Sequence, residues 1–476
     1  MTGTEARSRK VRLAEYSADP TALWLAAAFV LYGLTAIAFL AINIPPFQNP
    51  DEAAHFLRAA QLADGGLVGT RFSVTAADGS RQITAGGNAD PGVLAAALPF
   101  NALIFHPDAR AMGTYWKPPV HWSTQRAMTS FPNTAVAPPV FYVPSALAVI
   151  VGRMSRITVI QTLLLSRVLT GLAAVSVGAV AIVWAGRGAP WVFAVLTLPM
   201  SLSLIASSSQ DALLLGCSAL AGAAMLRALR VPGRHDWRIL AILAVSLGLI
   251  GAVRPPYGAL VVLPLGLTAF PLRWRIACAA AAAACIVAWC LVALLTAATN
   301  FGAFVGAEPG AQIAAFLSDP VQAAHVVLVT LRRYWLGYVV GFVGQLGWLD
   351  TALPGAYYGV AVAMLVVAAI AAMLGVAGGP VRGGSWLAIA GAILLAAGGI
   401  FAIQYLTWTT PGSPTVEGVQ GRYFLPLALA GAALLPALQT PRLACLHRAL
   451  VLAVAAFPIA TLTVVMRAVV LRYYLG

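Results

Sequence analysis

Residues 21–64 read TALWLAAAFVLYGLTAIAFLAI and then, without a break, NIPPFQNPDEAAHFLRAAQLAD. The first half is an uninterrupted apolar run of the length that crosses a bilayer, about 20 residues. The second packs Asp51, Glu52, His55, Arg58 and Asp64 into a chain in which only 9% of residues are charged. Pro50 suits the first position of a helix, where its missing N–H is no loss, and Asp51 and Glu52 then lie at the positive end. Asp51 and His55 are four apart and Glu52 and His55 three apart, so the acids and the imidazole share a helical face. A favourable helix start accounts for the same spacing. What argues for chemistry is the place of the cluster, directly after the first apolar run.

Working outward, the whole chain of 476 residues is 60% hydrophobic with a mean hydropathy of +0.86. That is more apolar matter than a soluble core can use, and it predicts an all-α polytopic membrane protein. The net charge of +14 does not point to nucleic acid, because basic stretches interleaved with aromatics are missing and the arginines sit singly between apolar runs. Cys217, Cys278, Cys285, Cys290 and Cys445 all fall in or at the end of apolar segments. They read as inert hydrophobes, with neither metal-ligand nor disulfide spacing. Residues 1–20 carry Arg7, Arg9, Lys10 and Arg12. With no small-residue cleavage site after the apolar run, Thr21 to Ile42 is a retained first span whose basic flank stays in the cytoplasm.

Residues 43–156 form the longest polar stretch and are expected outside the membrane. Gly65 to Gly87, rich in Gly, Thr and Ser, predicts a short hairpin or irregular excursion. Ala135 to Arg156 is too short and proline-broken to span, and predicts an interfacial helix with Tyr142 as anchor. Residues 157–476 form a multi-span region with expected helices at 157–185, 191–207, 211–229, 237–253, 256–272, 276–299, 351–377, 385–406, 423–438 and 449–470. With the first span, that makes about eleven. Basic residues then alternate correctly: Arg187, the run Arg227 to Arg238 with His235 and Asp236, Arg273 with Arg275, Arg382, and Arg442 with His447 and Arg448 all fall inside.

This topology gathers polar residues from distant segments at the outer surface. They are Asp51, Glu52, His55 and Arg58; Gln210 and Asp211 after SLSLIASSS; Arg254 and Tyr257 in VRPPYG; Arg332 and Arg333 in LRRYW; Asp350 in GWLDTALP; and Glu417, Gln420, Arg422 and Tyr423 in VEGVQGRYF. Arginines at the outer ends of spans run against the orientation bias. Snorkelling to lipid phosphates explains each one alone; four beside several carboxylates fit a clamp for a phosphate or pyrophosphate. Asp211 also suits a helix cap, Asp350 and Glu417 suit ion pairing, and the tyrosines suit interfacial anchoring. Outside a cell no ATP is at hand, so a synthase there draws on a sugar already activated on a polyprenyl phosphate. One carboxylate takes the proton of the acceptor hydroxyl while arginines stabilise the departing phosphate.

PPFQNPDEAAHFLRA at the start, RPPYG at Arg254 to Gly258, LGWLDTALP at Leu346 to Pro354 and QGRYFLPL at Gln420 to Leu427 resemble, in order, the motifs of a bacterial polytopic membrane family of unknown function (domain of unknown function family 2142). The family is in turn similar in layout to the GT-C glycosyltransferases. That resemblance implies a GT-C-like fold with juxtamembrane helices in the first outer loop, and it gives Asp51 or Glu52 the role of catalytic base or metal ligand. The acids here are adjacent rather than DxD-like, which leaves a divalent metal open.

The expected function is transfer of a sugar from a polyprenyl-phosphate donor to a cell-envelope glycan, lipid or protein, at the outer face of a bacterial cytoplasmic membrane. Asp51 is the base, with Glu52 second. His55 orients it or binds acceptor, and Arg254, Arg332, Arg333 and Arg422 hold the carrier phosphate. A lipid-linked glycan polymerase or ligase would share this site with a longer donor. A flippase would instead place ionisable residues at mid-span, where Arg167 is the chief example.

Overall fold

The computed structural model describes residues 19–75, 79, 81–111, 119–230, 236–300, 306–375, 383–438 and 441–475. The basic flank with Arg7, Arg9, Lys10 and Arg12, together with His235 and Arg382 of the predicted inner loops, lies outside the described residues. The structure is predominantly helical. Among the described residues, eight helices are long and apolar enough to cross a membrane. Helix α1 (Pro20–Asn43) forms where the apolar run predicts, and α2 (Glu52–Ala63) follows it, starting two residues after Pro50 and leaving Asp51 outside because its backbone is left-handed.

After α2 the chain makes a small antiparallel sheet of β1 (Thr70–Thr75), β2 (Arg81–Ala89) and β3 (Ala127–Ser130). The expected hairpin is present, with Phe72 opposite Thr84, and β3 adds a third strand with Ser130 opposite Gly86. Asp64 at the end of α2 ties this region down, taking hydrogen bonds from Arg126 (2.7 Å) and Arg153 (2.6 Å). Burial raises the Asp64 carboxyl's pKa, but the two guanidinium groups outweigh it and hold it below the usual carboxylate range.

Helix α3 (Val143–Met154) is the short element expected before the second span, and it leaves Val143, Leu147, Ile150, Val151 and Met154 exposed along one side. Tyr142 corrects the expectation of an interfacial anchor: it is 1% exposed, inside the protein. Helix α4 (Val159–Ala185) packs against α1 through small residues. A side chain at Gly33 would collide with Val175, and one at Gly178 would collide with Phe29. Such seams let membrane helices approach closely.

The predicted span 191–207 is broken into Ala189–Leu196 and Pro199–Ile205, because Pro199 cannot donate to the preceding turn. The helices α5 (Gln210–Arg230), α6 (Trp237–Val253) and α7 (Leu272–Thr296) follow, α6 being shorter than a full span. Between α6 and α7, the predicted 256–272 helix is a 3-10 segment, Pro255–Gly266, again proline-rich. The largest departure is α8 (Pro320–Val343), a long helix in the interval between 299 and 351 where no span is expected.

Beyond it lie α9 (Gly355–Leu374), α10 (Gly383–Thr407), the short helices from Gly421 to Leu434, and α11 (Ala444–Val470). Both flanks of α8 meet the same end of the bundle. Gln312 before it donates to the Thr409 carbonyl just past α10 (3.0 Å). Trp348 after it donates to the Phe47 carbonyl just past α1 (3.0 Å), and midway the Val416 amide donates to Thr330 Oγ1 (2.7 Å). Helix α8 therefore lies along that end instead of crossing the bundle.

Candidate functional site

The same end carries most of the polar residues singled out from sequence. Asp51 precedes α2 with φ of 57°, a left-handed conformation that strains any residue with a Cβ by about 1–2 kcal/mol. Its carbonyl accepts from the His55 amide (3.0 Å), but its side chain makes no capping hydrogen bond, and among the described residues its carboxylate has no hydrogen-bond or ion-pair partner. Its charge nevertheless reaches His55, one turn on. Strain of this kind persists where the surroundings over-determine it, and it clusters at functional sites.

Glu52, the adjacent acid, has the opposite fate. It is fully buried, and its carboxylate receives Arg167 Nε (2.8 Å) and Nη2 (2.5 Å), Asn49 Nδ2 (3.0 Å) and the Ser208 amide (3.1 Å). Burial raises its pKa, but the Arg167 charge and these hydrogen bonds prevail and hold it below the ordinary range. Arg167 also donates to the carbonyls of Ala41, Ile44 and Pro45. The mid-span charge is thus neutralised at a helix junction. Arg58, expected among the outer substrate- or phosphate-binding residues, is instead buried and donates to Gln61 and to the carbonyls of Gly66, Leu67 and Ala137.

His55 stands between Asp51 and a second cluster. The Tyr142 hydroxyl donates to Gln210 Oε1 (3.2 Å), so it accepts from His55 Nδ1–H (2.8 Å). This leaves His55 Nε2 to accept from Ser209 Oγ (3.4 Å). Burial pulls the His55 pKa below its ordinary value, although Asp51 and Asp211 pull it up. Asp211, beside Gln210, is 5% exposed and chelated by Arg254 Nη2 at 2.8 and 3.0 Å, with Arg422 Nη1 at 3.6 Å. Both guanidinium groups lie over the Tyr423 ring, at 4.5 and 5.6 Å. The Tyr257 hydroxyl fixes that residue through its carbonyl (2.7 Å). Two cations thus share one carboxylate, leaving a surplus positive charge in a nearly closed place, the setting that favours an anionic group.

Arg422 also opens onto a cavity of about 370 Å³ between α8 and the 415–422 segment, lined by Tyr334, Tyr338, Gln345, Leu349, Glu417 and Gln420 among others. Gln420 Oε1 accepts from Arg422 Nε (2.7 Å) and Glu417 Oε1 from Ser413 Oγ (3.1 Å). The remaining expected residues lie apart. Arg332 and Arg333 are exposed on α8 and do not line the cavity. Asp350 pairs with Arg472 near the carboxy terminus (3.2 Å) and accepts from the Phe105 amide. Among the described residues, no three His, Cys, Asp or Glu side chains stand together as a metal site.

Sequence reading missed Tyr142, Ser209 and Tyr338 as members of this region. The ASSSQD cluster at 206–211 and the PPVFY segment at 138–142 were the available signals, but neither tells which way a side chain turns. A family model described as "Predicted membrane protein (DUF2142)" matches residues 16–430. No curated protein and no solved structure matches the chain.

Proposed function

The chain belongs to the DUF2142 family of predicted membrane proteins, and from that premise we propose that it is a glycosyltransferase using a polyprenyl-phosphate sugar at the extracytoplasmic face. The observation that carries this reading is Asp51: a carboxylate on a strained backbone, without a partner among the described residues, whose charge reaches a buried imidazole that also feels two guanidinium groups sharing one acid. Asp51 takes the proton of the acceptor hydroxyl as its oxygen bonds to the anomeric carbon. The bond from that carbon to the phosphate oxygen breaks, and the electron pair leaves with polyprenyl phosphate. Arg254 and Arg422 stabilise the added negative charge on the leaving phosphate. The proton remains on Asp51 until solvent removes it.

Glu52 is fully buried and bound to Arg167, out of reach of an acceptor, so Asp51 is the base and Glu52 holds the scaffold. His55, neutral and held by Tyr142 and Ser209, forms the wall of the site beside Asp51. A bacterial cytoplasmic-membrane location and an acceptor in the envelope, whether glycan, lipid or protein, belong to the same reading, as does its GT-C likeness. A divalent cation would require ligands beyond Asp51, and no step here runs through one.

The test is transfer by the purified protein in liposomes from a panel of radiolabelled polyprenyl-phosphate sugars. Asp51→Asn is expected to lower the rate by about 10²–10⁴-fold, the usual worth of a general base, with insertion unchanged. Arg254→Gln and Arg422→Gln are expected to raise the donor KM. Full activity of Asp51→Asn would overturn the assignment.

A further inference from the structure

Resting on the transferase reading, we infer that the cavity between α8 and residues 415–422 is a binding cleft for a neutral pyranose ring. Its two walls differ in chemistry. The α8 side presents Tyr334 and Tyr338, with Gly337 and Gly341 leaving space between them. The opposite side presents Glu417, Gln420 and Arg422. A pyranose has the matching asymmetry: axial C–H groups on a face that stacks on an aromatic ring, and hydroxyl pairs at the rim that take bidentate hydrogen bonds from carboxylate, amide or guanidinium groups.

The groups needed are available. No hydrogen bond engages the Tyr338 hydroxyl, Glu417 Oε2 or Gln420 Nε2 among the described residues. The Tyr338 ring is itself held in place, edge-on to Phe401 at 6.0 Å and tilted against Phe424 at 6.1 Å.

The polar wall is built in advance. The Val416 amide donates to Thr330 Oγ1 (2.7 Å) and the Glu417 amide to Thr409 Oγ1 (3.0 Å). Gly418 has φ of 77° and lies against the Trp408 ring. Gly421 packs on the Tyr338 carbonyl so closely that a Cβ would collide with it. A segment held at so many points loses little freedom when a ligand arrives.

The cavity, about 370 Å³, falls within the size range of small-ligand sites, roughly 300–1,000 Å³. Glu417 disfavours a purely anionic occupant, and the polar wall disfavours an acyl chain. Arg422 joins the cleft to the Asp211 cluster, so a sugar seated here lies next to the proposed phosphate position. Donor sugar and acceptor sugar share this chemistry.

The experiment is saturation-transfer NMR on the full chain in lipid nanodiscs, with the methyl α- and β-pyranosides of glucose, galactose and mannose as probes. Ring C–H protons of at least one glycoside are expected to take up saturation. The signal is expected to fall at least fivefold in Tyr338→Leu and Glu417→Gln and to be unchanged in Arg332→Gln, on the exposed side of α8. Glu417→Gln sits on a partly exposed loop, so it keeps the test standing if Tyr338→Leu misfolds. Saturation of no glycoside, or saturation untouched by both variants, would overturn the inference.

In the transfer assay, a raised KM for the donor or for the acceptor in Glu417→Gln assigns the sugar to that source, and no change in either counts against the cleft. Glycoside binding without any transfer activity would instead remove the transferase reading and leave the cleft.

Discussion

At the scale of single residues, Asp51 combines strain with an unengaged charge, and the two can be separated. Glycine adopts φ of 57° without a Cβ clash. Asp51→Gly is therefore expected to stabilise the protein by about 1 kcal/mol, the released strain less the entropy glycine adds to the unfolded chain, while abolishing transfer. Thermal unfolding in detergent measures this; an unchanged or lower midpoint would show the backbone to be relaxed.

His55 makes a pH prediction. Burial lowers its pKa in the folded protein below the ordinary value of about 6.5. The unfolded chain therefore binds the proton more readily. The stability due to a neutral His55 is fully present above about pH 6.5 and is lost as pH falls through the lower folded value. Transfer is expected to hold between pH 7 and about 6.5, with the midpoint of its acid limb below that. A midpoint at or above it in a pH–rate profile would contradict the neutral imidazole.

At the scale of elements, the Glu52–Arg167 pair joins the start of α2 to the middle of α4 and the end of α1. Removing one member leaves a buried charge alone. Arg167→Met is expected to destabilise by about 3–5 kcal/mol, and the double variant with Glu52→Leu to recover most of the loss. Denaturant unfolding of the single and double variants decides it, and an additive double loss would rule the pair out as a unit. Because the folded Glu52 pKa is depressed, its contribution is full above the ordinary carboxylate value of about 4.3 and disappears as pH falls through the lower folded value. The contact of α8 with the 415–422 segment is a second joint. Gly421→Ala forces a methyl group against the Tyr338 carbonyl, and it is expected to loosen α8 and expose its inner face to protease. An unaltered digestion pattern would show that the joint can give.

At the scale of the molecule, the path of α8 decides how many segments cross the bilayer. Its length and apolar composition qualify it as a span, yet its flanks contact Thr409 and Phe47 at one end of the bundle. In a cysteine-free background, Asp319→Cys before α8 and Ala352→Cys after it are expected to react with a membrane-impermeant maleimide from the same side. Arg273→Cys, at the other end of α7, is expected to react only after permeabilisation. Labelling of 319 and 352 from opposite sides would make α8 a crossing helix.

The apolar runs by themselves determined that the chain belongs in a membrane and where most long helices lie, because burying about 20 apolar residues in lipid is a local, additive effect. Proline positions in 199, 255–256 and 264 carry equally local reasons for the broken segments. The sparse charges also marked Asp51, His55, Asp211, Arg254 and Arg422 as worth attention. Only the tertiary structure divided Asp51 from Glu52, since neighbours on a helix start face different ways and the partner that closes Glu52, Arg167, comes from another helix. It likewise separated Arg254 and Arg422, drawn onto Asp211, from Arg332 and Arg333 on an exposed helix face. A charge's role depends on what lies within a few ångströms, and in this chain those neighbours come from remote segments that only folding brings together.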